Sequence, residues 1–185
     1  MINFLIFFFL IQRWRTVGKK RPDYFNYYGS EAEEYGKSKW MEKNQKRTTV
    51  RALELIETML NYSASDNIPP KEPISNNTTE NPYPNLICLD IGAGTGYSTE
   101  IIEETGMRVI AIDLSFDMLS QNPCEYRIVA DMRQMPFRDQ QFNIIISISA
   151  FNFASSGAKS LEEKKKYIAK SLAELARIGA EGCNI

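Results

Sequence analysis

An α/β fold built on a parallel, doubly wound sheet is what this 185-residue sequence predicts. Three observations predict it. An apolar run from Leu86 to Ile91 ends in three alternate glycines, Gly92, Gly94 and Gly96, and a helical pattern then opens at Ser98, Thr99 and Glu100. Strand, tight glycine turn and helix form the unit by which open α/β sheets bring backbone up to a ligand at their carboxyl edge. Downstream, further apolar strand-like runs alternate with helical segments, which implies parallel strands joined by crossovers. Finally, the first three strands each end in a carboxylate, Asp90, Asp113 and Asp131. Right-handed crossovers give the expected strand order 3-2-1-4.

The front of the chain divides by composition. Residues 2–11 form an apolar run followed by Arg13, Arg15, Lys19, Lys20 and Arg21. The run is too short to span a bilayer, which takes about 20 residues, and it lacks the layout of a signal peptide. Residues 1–20 are therefore read as an extension outside the domain or a membrane-surface anchor, with no stable membrane insertion and no role assigned. Residues 21–60 read as a helical segment, with an aromatic lead-in containing Tyr24, Tyr27, Tyr28 and Tyr35, Ser30 as N-cap and Glu33 completing a capping box. Val50, Leu53, Ile56 and Leu60 form its apolar face. Residues 61–85, rich in Asn, Ser, Thr and Pro, read as a disordered insertion. Residues 86–185 form the α/β core.

Within the core, Glu100 to Thr105 is the first helix, stopped by Gly106. Arg108 to Asp113 is the second strand. Ser115 caps a helix carrying Met118 and Leu119, and Tyr126 to Asp131 is the third strand. Phe142 to Ser149 is the fourth. Ala158 to Ile178 is a long helix with Leu161, Ile168, Leu172, Leu175 and Ile178 on one face, ended by Gly179.

Composition excludes several chemistries. The chain has no histidine, which removes imidazole acid–base catalysis and every His-ligated metal site. Cys88, Cys124 and Cys183 are far apart and have no C-x-x-C spacing; Cys88 lies in a strand, so a buried apolar thiol is expected there, and a reducing compartment, cytoplasmic or nuclear, fits. Residues 1–60 carry 11 Lys and Arg against 7 Asp and Glu, and the remainder 11 against 16. A basic front on an acidic half is compatible with a nucleic-acid substrate, and equally with solvated helix faces.

The central turn is D-x-G-x-G-x-G from Asp90 to Gly96. A dinucleotide fingerprint is G-x-G-x-x-G, and Tyr97 stands where its third glycine would be. Dinucleotide binding and a ligand-free turn remain alternatives on the spacing alone. The stretch 85–97 resembles the first motif of class I S-adenosylmethionine (SAM) methyltransferases, and the segments 108–119, Asp131-Met132 and 146–150 follow it as in that superfamily. This resemblance implies a Rossmann-like methyltransferase core with SAM as cofactor. In it, Gly92, Gly94 and Gly96 admit the methionine and ribose portion, and Asp113 accepts both ribose hydroxyls. Asp131 accepts the adenine amino group beside the Met132 N–H. Leu114 and Met132 sandwich the adenine, and Asp90 contributes negative field.

With the front segment (Arg21-Pro22, Glu31-Ala32, Tyr35, Met41, Gln45 and the run from Arg51 to Leu55), the chain is similar to the eukaryotic and archaeal small-subunit rRNA guanine-N7 methyltransferases. The similarity covers roughly residues 21–178. It implies ribosomal RNA as substrate and a small zinc-binding methyltransferase-activator protein as partner. Guanine N7 carries an available lone pair, so alignment rather than a general base would drive transfer, and no catalytic residue is named. Ser149, Asn152 and Phe153 are the target-positioning candidates, Asn152 and Phe153 standing where the family shows Gln and Trp. The sequence ends where a fifth strand would begin, so an incomplete domain with strand 142–149 as an exposed apolar edge is expected. The competing readings are a quinone- or metabolite-type methyltransferase, and a non-catalytic remnant serving as an interaction module. A dinucleotide oxidoreductase is disfavoured by Tyr97.

Overall fold

Leu89 and Cys88 are neighbours in one strand, yet they belong to opposite layers of the molecule, and that alternation organises the fold. The computed structural model describes residues 28–64, 83 and 85–184; the expectations for residues 1–20 and for most of the 61–85 insertion lie outside them. The elements are α1 (Ser30–Gly36), α2 (Lys39–Ala64), β1 (Ile87–Ile91), α3 (Tyr97–Glu103), β2 (Arg108–Asp113), α4 (Phe116–Ser120), β3 (Arg127–Val129), β4 (Phe142–Ile146), a 3-10 turn (Phe151–Phe153), α5 (Leu161–Ile178) and β5 (Gly179–Asn184). The sheet order is β3-β2-β1-β4-β5, and every strand pair is parallel. Cys88, Ala111 and Ile144 point to one side, where Ile56, Ile102 and Leu119 cover them. Leu89, Ile91, Ile112 and Ile145 point to the other, against Leu175 and Ile178. A parallel sheet covered on both faces needs such continuous apolar strands, and each fully buried Leu, Ile or Phe contributes about 1.5–3 kcal/mol.

The expected order 3-2-1-4 is present, and the structure adds to it. Residues 179–184, not assigned to a strand from sequence, pair with β4 beginning at Phe142↔Gly179. Strand 142–149 is therefore no exposed edge in this structure: β5 lies along it, and Phe142 is fully buried. The strand itself stops at Ile146, and the Ser147 hydroxyl just beyond it donates to the Ile91 carbonyl at 3.1 Å.

The N-terminal helices differ from expectation in detail. Ser30 does not cap α1. Gly29 occupies that position at φ 53° with no side-chain cap bond, and its N–H donates to Asp117 Oδ2 of α4 at 2.7 Å. The buried face of α2 is Met41, Gln45, Thr48, Thr49 and Ile56, while Val50 is exposed. The polar members are tolerated because Thr48 and Thr49 donate to the carbonyls of Asn44 and Gln45, and Gln45 donates to the Tyr35 hydroxyl. On α5, Leu175 and Ile178 are buried but Leu161 and Ile168 are exposed, so only the carboxyl half of that stripe reaches the sheet. Ser160 caps α5 by accepting from Glu163 N, while Glu163 accepts from Lys159 N, a capping arrangement that the sequence reading missed. Among the described residues, no helix is long and apolar enough to cross a membrane.

Candidate functional site at the β1 glycine turn

The turn after β1 is fixed from three directions. Gly92 and Ala93 both donate to the Ile112 carbonyl, at 2.8 and 3.0 Å, which ties the turn to β2. Asp113, at the tip of β2, accepts from Gly94 N at 2.9 Å and from Ser115 N at 2.8 Å. Burial pushes its carboxyl up, while the backbone N–H groups of Ser115, Gly94 and Leu114 oppose that rise. The side chain capping α4 is that of Ser115, which accepts from Met118 N, so Asp113 is free of that duty. Gly92 has φ +69°, and a Cβ there would lie 2.1 Å from the Ala150 Cβ. Only glycine fits where the β4 exit crosses the turn.

Asp90 lies beneath the turn and is fully buried. Its Oδ2 accepts from the hydroxyls of Ser98 and Thr99, each at 2.7 Å. Burial pushes its carboxyl up to about 6 against those two donors, and the nearby Asp113 adds to the rise. Its Oδ1, and the hydroxyl of Thr95 within the turn, are buried with no hydrogen-bond partner. An unpaired buried carboxylate oxygen is expensive. The unpaired Asp90 oxygen beneath the glycine turn fits a ligand bearing positive charge and N–H or O–H donors.

Leu114 is 38% exposed at the tip of β2. Met132 packs on the Leu89–Ile112 side of the sheet. Asp131 stands at the same carboxyl edge but is bound by Arg133, whose Nε and Nη2 reach its two oxygens at 2.6–3.0 Å. Burial works to raise the Asp131 carboxyl, and Arg133 overcomes it and holds it below the usual carboxylate range. Arg133 also lies 4.7 Å from the centre of the Tyr167 ring. This group lines a separate cavity of about 550 Å3 with Gln134, Met135, Pro136 and Lys170. The structure thus brings Asp90, the three glycines and Asp113 together, and leaves the Asp131 carboxylate engaged by a cation. Ser149 has φ 63°, a strained conformation of the kind that clusters at functional sites. Asn152 is exposed and Phe153 half-buried on the following 3-10 turn.

Sequence reasoning missed two contributors. Tyr97 stacks on Tyr35 with centroids 6.1 Å apart, and its hydroxyl donates to the carbonyls of Tyr35 and Gly36 at 3.1 and 2.8 Å, fastening α1 to the start of α3. Asn122 is buried beside the turn; its only signal was an Asn-Pro pair.

Comparison with known proteins agrees with this geometry. Residues 89–181, half of the chain, match the family described as "Methyltransferase domain". Malonyl-[acyl-carrier protein] O-methyltransferase of Hamiltonella defensa is 33% identical over 69 residues, 35% of this chain and 27% of that protein. Demethylmenaquinone methyltransferase of Renibacterium salmoninarum is 32% identical over 103 residues, 54% and 39% respectively. The 18S rRNA (guanine-N(7))-methyltransferase bud23 of Schizosaccharomyces pombe is 37% identical over 78 residues, 39% and 29%. Among solved structures, the YcgJ protein of Bacillus subtilis superposes with a TM-score of 0.43 at 20% identity, over 53% of this chain and 41% of that one. The chain spans between about a quarter and two fifths of the length of these curated relatives. With D-x-G-x-G-x-G at the end of β1 and half of its length matched, the chain belongs to the methyltransferase-domain family.

Proposed function

We propose that the chain acts as a SAM-dependent methyltransferase and that its acceptor is guanine N7 of small-subunit ribosomal RNA. The observation that carries the first part is the glycine turn clamped by Asp113 over a buried Asp90 with a free oxygen. SAM carries an ammonium and a sulfonium; when bound, it supplies an electrophilic methyl group. Asp90 and Asp113 would provide the negative field for those charges, and the lone pairs of Asp113 that the Gly94 and Ser115 N–H groups leave unused would accept the ribose hydroxyls. Asp131 would contact an adenine amino group only through lone pairs that Arg133 leaves free.

Guanine N7 as acceptor is supported by the 78-residue likeness to the fission yeast enzyme. The Ser149–Phe153 segment, crossing Gly92 through Ala150, is where the target base would be aligned, with Phe153 stacking and Asn152 hydrogen-bonding. This reading carries with it the small zinc-binding activator as partner and a cytoplasmic or nuclear, reducing setting, in keeping with Cys88 and Cys124, which are buried and form no disulfide. A metabolite acceptor is the second reading, favoured by relatives acting on malonyl-acyl carrier protein and demethylmenaquinone.

The test supplies purified chain with methyl-labelled SAM and three acceptors in parallel: small-subunit rRNA, malonyl-acyl carrier protein and demethylmenaquinone, each with and without the activator. Label recovered as N7-methylguanine supports the rRNA reading. Label confined to the acyl or quinone arm replaces it with the metabolite reading. Failure of the folded chain to bind SAM at all overturns both.

A further inference from the structure

Asn122 is only 1% exposed, and a buried amide is tolerated when its hydrogen-bonding groups are satisfied. Its Nδ2 donates to Thr99 Oγ1 at 3.1 Å and to the Gly94 carbonyl at 3.4 Å, and its Oδ1 accepts from Cys124 N at 3.0 Å. The Thr99 hydroxyl spends its one proton on Asp90 Oδ2 at 2.7 Å, so its oxygen is left to accept from Asn122. The three side chains form an unbroken relay running from the α4–β3 connection, through α3, to the carboxylate under the glycine turn. Each member polarises the next. The turn is also moulded around the amide. A Cβ on Gly96, at φ +97°, would stand 2.9 Å from Asn122 Oδ1 and 2.7 Å from Pro123 Cδ.

We propose that Asn122 is a positioning residue that acts through Thr99 to fix the Asp90 carboxylate, with Oδ2 committed to α3 and Oδ1 kept for a cationic group at the glycine turn. The inference rests on the donor-binding reading above for the identity of that cation. The groups facing Asp90 are few. From α3 come the Ser98 and Thr99 hydroxyls, which favour the charged form, and from β2 comes the Asp113 carboxylate, which disfavours it. On the flanking strands its paired neighbours are Ala111 and Ile146, neither of them titratable. The Cys124 thiol, next to Asn122, is pushed up to about 11 by burial and is neutral at ordinary pH. Removing the relay therefore leaves burial and Asp113 less opposed, and Asp90 becomes harder to ionise.

The experiment is a double-mutant cycle of Thr99→Val and Asn122→Ala. SAM affinity is measured by calorimetry between pH 5 and 8, the Asp90 carboxyl is titrated by 13C NMR in ligand-free protein, and circular dichroism establishes folding. In the wild type, affinity falls as pH drops through about 6. Thr99→Val is expected to move both the binding midpoint and the ligand-free titration upward by about one pH unit. Asn122→Ala moves them the same way by less, the double variant coincides with Thr99→Val, and Thr99→Ser restores the wild-type profile. An Asn122→Ala protein that folds with an unmoved Asp90 titration overturns the proposal, as do shifts that simply add in the double variant. Should Asn122→Ala not fold, Asn122→Leu, which fills the amide's space without a donor, is measured beside Thr99→Val by the same criteria. If the wild type binds no SAM while the ligand-free titrations shift as described, the donor reading fails and the positioning role of Asn122 stands.

Discussion

The carboxylate of Asp113 and the backbone N–H of Gly94 meet at 2.9 Å across the turn, so a strand tip holds the second glycine of a neighbouring strand's loop. Substituting Asp113 by Ala removes this bond and the one to Ser115 N. The proposed ribose contact loses its charged acceptor as well; a hydrogen bond to a charged group is worth about 1.5–3 kcal/mol, so SAM affinity should fall by roughly 10–100-fold. Calorimetric titration checks this, and Asp113→Asn, which keeps an acceptor, should fall between wild type and Asp113→Ala.

Asp90 makes the fold sensitive to pH in a defined direction. Its folded carboxyl is raised to about 6 from 3.8, so between those values the native state holds a proton that the unfolded state has released. Stability therefore declines as pH rises through this window and stays at the lower level above it. Asp90→Asn removes the liability while filling the Oδ1 position with a donor. It should stabilise the ligand-free protein at pH 7.5 by on the order of 2 kcal/mol and by much less at pH 4. Urea denaturation at the two pH values measures the difference.

Gly92 and Gly29 both have positive φ, yet they differ in what surrounds them. A Cβ at Gly92 meets the Ala150 Cβ at 2.1 Å, whereas one at Gly29 meets nothing within 4 Å. Gly29→Ala should cost about 1–3 kcal/mol from backbone conformation alone, since φ 53° with ψ −126° lies outside the left-handed helical region, and Gly92→Ala should cost about 1–3 kcal/mol beyond its own backbone cost because overpacking is added. Ala150→Gly in the Gly92→Ala background should recover the steric part, measured by the denaturation midpoint.

The apolar stripe of α5 should show a sharp functional division along its length. Leu175→Ala empties space against Leu89, Ile145 and Phe142 and should destabilise by about 2–5 kcal/mol. Leu161, 66% exposed, should tolerate alanine within about 0.5 kcal/mol. Thermal unfolding of the two variants gives the comparison.

The parts of this molecule legible in the sequence are those where local pattern and tertiary role coincide. Leu86 to Ile91 followed by spaced glycines announces a buried strand and its turn, and Ser115 caps its helix as its type suggests. β5 was missed because Gly179, Gly182 and Asn184 carry little strand preference; it exists because β4 offers an edge that needs hydrogen-bonding partners. Ser30 and Glu33 make a convincing capping box on paper, but the chain enters α1 through Gly29 and its bond to Asp117, a residue 88 positions away. In the site, Asp90 and Asp113 could be read from their places at strand tips. The engagement of Asp131 by Arg133 and the burial of Asn122 depend on contacts that no local spacing encodes.

Gly179 is both the residue that closes α5 and the first residue of β5, so helix and strand are joined with no intervening loop. Neither can move without the other. Release of Leu175 and Ile178 from the sheet would pull β5 from its ladder, and the outer amides of β4 would meet solvent at the same moment. In hydrogen exchange, α5, β5 and the outer edge of β4 should therefore open as one cooperative unit, while β1 and β2, fastened at the glycine turn, persist on a slower clock.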